Sequence, residues 1–112
     1  MTKSFAAAIA QTLEYVERSL ARIQEGDGAE TEAHNIRVYL VNTLELTHRD
    51  PGIEAAADDL YAAATAFVVG QGRPEDGSRR RDARILREAF LRLRDKLADA
   101  RPSDKARGMG LA

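Results

Sequence analysis

The sequence predicts an all-α fold, an antiparallel up-down-up-down four-helix bundle, on three observations. Apolar residues recur at alternating spacings of three and four in four separate stretches, the repeat of one face of a helix. Between these stretches stand residues that stop and start helices: Gly26-Asp27-Gly28, Asp50-Pro51-Gly52 and a glycine-rich run from Gly70 to Gly77. No stretch alternates polar and apolar residues for long enough to read as a strand.

The first helix is expected over about residues 4–25. Phe5, Ile9, Leu13, Val16, Leu20 and Ile23 form its stripe. Ser4 is a suitable N-cap, and Gly26 can end the helix in the left-handed conformation. The second is expected over about 28–48, with Asp27 and Glu30 as a capping box and a stripe of Ala33, Ile36, Leu40, Thr43 and Thr47. The third, about 51–70, has Asp50 as its cap and Pro51 at its first position, where no N–H is needed. Ile53, Ala57, Leu60, Ala64 and Phe67 form its stripe, and seven alanines between 55 and 66 make it slim enough for close helix approach. The fourth, about 79–101, has Ser78 as its cap and a stripe of Ala83, Leu86, Phe90, Leu93, Leu97 and Ala100, with Pro102 beyond its end. Four helices of about 20 residues, each about 30 Å long and joined by short loops, make such a bundle.

With 112 residues the chain has room for one core. The domain is expected over 1–101, and residues 102–112, with two glycines and mixed charge, as a disordered tail. The absence of cysteine excludes disulfides, thiolate zinc sites and cysteine nucleophiles. No apolar run approaches the ~20 residues needed to span a bilayer, and Phe5 to Ala10 is too short for a signal-peptide core. The expectation is a cytoplasmic, unprocessed chain with no membrane contact.

Little in the sequence points to catalysis. The glycines at 70, 72 and 77 follow no strand, so they read as linker and not as a phosphate loop. Glu45 and His48 make one Glu-x-x-His, whereas two-metal bundles use two such pairs and two further glutamates. His34 is 14 residues from His48, about 21 Å along a helix. No catalytic residue, metal site or cofactor is expected, and no segment carries a family motif.

Two faces look unfinished. On the second helix, at about 100° per residue from Ile36, Val38 falls near 200° and Val41 near 140°, away from the core stripe. His34, Glu45 and His48 share that sector. A helix apolar on two sides is covered twice, so His34, Val38, Val41, Glu45 and His48 are the expected oligomer interface, most simply a two-fold homodimer. The alternative is that two exposed valines are ordinary surface. On the fourth helix, Arg80, Arg84, Arg87, Arg94 and Arg101 share about 100° of arc with Leu91 in their midst. Arg79, Arg80 and Arg81 crowd the first turn, where the helix dipole disfavours cations. The charge is also split along the chain. Residues 1–72 carry 5 Lys and Arg against 11 Asp and Glu, a net of −6; residues 73–112 carry 12 against 7, a net of +5.

An anionic partner would relieve this clustering. The function expected is a non-catalytic protein–protein interaction module, an adaptor, chaperone or regulatory subunit. It would bind an acidic or amphipathic protein through Arg80, Arg84, Arg87, Leu91 and Arg94. A nucleic-acid-associated regulator using the same arginines is the second reading. It is disfavoured because the chain carries a net −1 and the stripe offers no aromatic residue for base stacking. A small enzyme or metal carrier is the third. A plain solvated face remains the simplest account of any charge run.

Overall fold

The computed structural model describes residues 4–70 and 76–112, without the side chains of 76–78. The fold is all-helical. Four long helices, α1 (Phe5–Glu25), α2 (Ala29–Leu46), α3 (Pro51–Gly70) and α4 (Asp76–Leu97), are followed by a short one, α5 (Asp104–Gly108). Among the described residues there is no strand, only an isolated bridge between Thr47 and Pro102. Nor is any helix among them long and apolar enough to cross a membrane.

The helix ends follow from local chemistry. Ser4 Oγ accepts a hydrogen bond from the Ala7 N–H at 3.1 Å and caps α1. At the other end Gly26 sits at φ 79°. Its N–H donates to Ile23 O and that of Asp27 to Arg22 O, the pairing that satisfies the last carbonyls of a helix. Gly28 is also left-handed, at φ 59°, and stands at the N-cap of α2 with no side-chain cap. The expected Asp27–Glu30 capping box is therefore not formed. The second left-handed glycine moves the helix start to Ala29 and leaves Asp27 one position too early. Asp50 Oδ1 accepts from the Gly52 N–H at 2.8 Å and caps α3 as expected.

The glycine-rich linker expected after α3 falls mainly on residues 71–75, which lie outside the described residues. Because α4 begins at Asp76, Ser78 lies in its first turn and is not its cap. The helix also ends four residues earlier than expected, at Leu97, which takes Arg101 off the helical stripe.

One core joins all five helices. Ile23, Ile36, Leu60, Leu86 and Ala106 are fully enclosed, and Val16, Phe90 and Leu93 nearly so. Each large apolar side chain so buried contributes about 1.5–3 kcal/mol of transfer free energy. α3 packs along α4, α1 along α2, and α2 on α3, while α1 meets α4 only lightly. The Cα envelope is accordingly a slab, 48 × 25 × 15 Å. Leu13, expected in the core, is only half-buried, because it faces this looser α1–α4 seam.

The segment expected to be a disordered tail is folded. Ser103 caps α5 by accepting from the Ala106 N–H at 3.1 Å. Ala106 and Leu111 enter the core. The same Ser103 closes the end of α2: its N–H donates to Leu46 O at 2.9 Å and its hydroxyl to Glu45 O at 2.7 Å. Two carbonyls with no partner inside α2 are thereby satisfied. The Phe5 N–H donates to Ala112 O at 3.1 Å and ties the segment to the start of α1.

Candidate functional site

The α1–α4 seam opens into an apolar cleft of about 270 Å³. Phe5, Ile9 and Leu13 of α1 form one wall and Leu97 of α4 the other; Ala6, Ala10 and Ala98 keep it open, and Arg94 stands at its edge. Small side chains explain the opening. With methyl groups at these positions the two helices have nothing long enough to fill the gap between them.

Of the arginine stripe of α4, Arg87 and Arg94 reach this seam. Arg80, Arg84, Arg87 and Arg94 are all exposed. Arg87 reaches across to Glu17 of α1 at 3.2 Å and lies over the Phe90 ring at 5.9 Å. Arg80, Arg84 and Arg94 have no ion-pair partner among the described residues. Leu91, expected as an exposed apolar anchor within the stripe, is half-buried and packs against the core. At about 100° per residue, Arg87 lies about 90° and Leu91 about 130° from the centre of the Leu86–Phe90–Leu93 face, so the partial burial of Leu91 is set by its neighbours and not by its angle. The structure brings Arg87 and Arg94 to the α1–α4 side. Arg80 stands instead at a separate depression of about 360 Å³ with Gln24, Phe67, Arg79 and Ala83. The cleft itself had no signal in the sequence, because it depends on how tightly two helices far apart in the chain approach.

The five residues expected to share an interface on α2 are divided by the fold. Val38 and Val41 are exposed at 43% and 45%. Val41 lines a depression with Arg37 and Tyr61, whose side chains stack at 5.6 Å. His34 is exposed. Glu45 is engaged by Lys105 at 2.6 Å, and the backbone of His48 by Arg101 O at 2.6 Å. The C-terminal segment thus takes up one end of the sector that appeared uncovered. Among the described residues no group of three His, Asp or Glu is placed to hold a metal ion. Compared with protein families, curated proteins and solved structures, the chain matches none.

Proposed function

We propose that the chain is a cytoplasmic, non-catalytic interaction module built as an antiparallel up-down-up-down bundle, and that it receives an acidic amphipathic helix of a partner protein along the α1–α4 seam. The observation that supports this reading is the apolar cleft with Arg94, unpaired among the described residues, in its lining, on a helix that also exposes Arg84. An apolar helix face would fill the space lined by Ile9, Leu13 and Leu97. Its flanking carboxylates would meet Arg84 and Arg94. Apolar anchors supply most of such an affinity and the charged rim supplies register and on-rate.

The test is affinity capture from native extract by wild type and by an Arg80→Glu, Arg84→Glu, Arg94→Glu variant. Arg87 is left in place because its reversal would set a carboxylate against Glu17. These exposed changes should alter stability by no more than about 0.5 kcal/mol, checked by circular dichroism. A protein captured by wild type and lost with the variant is the expected result. The corresponding Gln variant should lose less, since it removes attraction without adding repulsion. Identical capture by the Glu variant would overturn the reading. Retention of nucleic acid with a steep salt dependence would favour an arginine-mediated nucleic-acid regulator instead.

The module would further pair with a second copy through Val38 and Val41. Two neighbouring valines left more than two-fifths exposed support this. A Val38→Asp, Val41→Asp variant is expected to remain folded, since neither residue faces the core, and to shift the mass measured by light scattering from dimer to monomer. A monomeric wild type at high concentration would remove the self-association.

A further inference from the structure

The C-terminal segment does more than close the core. Where it crosses the turn between α2 and α3 it borders an open surface cleft of about 390 Å³, lined among others by the exposed His48, Arg49, Arg101, Asp104 and Arg107. The backbone brings them together. The Thr47–Pro102 bridge, the His48 N–H donating to Arg101 O, and the Ser103 N–H donating to Leu46 O hold two chain segments, more than 50 positions apart in sequence, side by side. Arg101 and Arg107 have no ion-pair partner among the described residues, and Arg49 has only a 3.5 Å contact with Glu54 at the surface, its own side chain 87% exposed. Three guanidiniums against the one carboxylate of Asp104 leave this lining with a net charge of +2.

We propose that this cleft binds a small polyhydroxylated phosphate monoester. The charge supports it: a monoester carries about −1.5 to −2 near neutral pH, which matches the lining. The geometry of the donors supports it as well, since guanidinium forks bind phosphate oxygens in pairs. Asp104, in no ion pair among the described residues, supplies an acceptor for ligand hydroxyls. The cleft lies at the small end of the range of ligand pockets, about 300–1,000 Å³. Its lining has no Phe, Tyr or Trp, and His48 is its one ring. Its small volume suits a compact sugar-like ligand better than a nucleotide. The site uses none of the arginines of the α4 stripe, so it stands or fails independently of the partner-binding reading.

The experiment is an amide-resolved NMR titration of the full chain with inorganic phosphate, then with glycerol 2-phosphate, at constant ionic strength above pH 7. Sodium chloride alone is the control. Saturable shifts are expected at residues 47–49 and 101–107, with a dissociation constant in the millimolar range or tighter and tighter for the monoester than for phosphate. An Arg101→Gln, Arg107→Gln variant should bind at least about tenfold more weakly, the loss of two charge-assisted contacts, while the rest of its spectrum stays unchanged. An Arg80→Gln, Arg84→Gln variant should bind as wild type does. Absence of saturable shifts would overturn the proposal. So would shifts of equal size along α4, which would mean diffuse anion screening. A single-stranded RNA binding these residues more tightly than the monoester would overturn it in favour of a nucleic-acid backbone.

Discussion

Replacing Phe90 with Ala is expected to cost about 3–5 kcal/mol, the range for removing a buried aromatic ring and leaving part of its cavity unfilled. The ring is 1% exposed and shares its core with Leu86 and Leu93. A domain of this kind has about 5–15 kcal/mol in total, so the variant should be partly unfolded at the warm end of the physiological range. At about 4–8 °C per kcal/mol for a small domain, the midpoint should fall by at least about 12 °C. The guanidinium of Arg87 over the same ring offers an internal control. Arg87→Ala removes a cation–π contact of about 0.5–1 kcal/mol and an exposed ion pair of about 0–1 kcal/mol. It should therefore cost less, about 0.5–2 kcal/mol. Thermal melts of the two variants followed by circular dichroism decide the matter. If the Phe90 variant melted within a degree or two of wild type, α4 could not be docked through this face.

The four long helices were legible because their burial is one-dimensional. A stripe such as Phe5–Ile9–Val16–Leu20–Ile23 repeats over several turns, and every repeat votes for the same period. The stops were legible where one residue type has one physical role, as with Gly26 in the left-handed region and Asp50-Pro51 at a helix start. Reading failed where two signals competed. Asp27 and Glu30 had capping-box spacing, but Gly28 between them took the left-handed conformation and displaced the start. The C-terminal segment was missed because a five-residue helix has no period to detect. Its anchors, Ala106 and Leu111, are single residues among glycines and charges. A signal was nonetheless present. Ser103 followed by Asp104 is a helix cap with an acidic first turn, placed directly after a proline.

The candidate sites divide in the same way. The arginines of α4 were visible as a breach of helix rules, and Arg80, Arg84, Arg87 and Arg94 are indeed exposed. The apolar cleft beside them and the convergence of Arg49, Arg101 and Arg107 were not visible. Both depend on which distant segments meet, and no local pattern encodes that. Leu91 shows the limit of angular arithmetic: about 130° from the centre of the core face, it is nonetheless half-buried against the core.

A chain ending at Arg101 is expected to fold but to be about 1–3 kcal/mol less stable than the full chain, where a disordered tail would contribute nothing. Its deletion removes the burial of Leu111 and Ala106, which would contribute about 2–3 kcal/mol between them. It also removes backbone bonds worth about 0.5–1.5 kcal/mol each, among them those from Ser103 to Leu46 and from Phe5 to Ala112. Ordering the segment costs conformational entropy that offsets part of this gain, so the net contribution is smaller than the sum of its contacts. The expectation of a disordered tail would be upheld by an unchanged denaturation midpoint with unchanged hydrogen exchange at the Phe5 amide. The structure requires both to change, since that amide loses its acceptor. Ala106→Asp gives a second, sharper test. Ala106 is fully enclosed, so a carboxylate there would be buried without a partner, ordinarily a penalty of several kcal/mol. The segment can instead peel away, which caps the penalty at the docking free energy of the segment. Ala106→Asp should therefore cost no more than the truncation does. A substantially larger loss would mean that the segment cannot detach without the rest of the core opening with it.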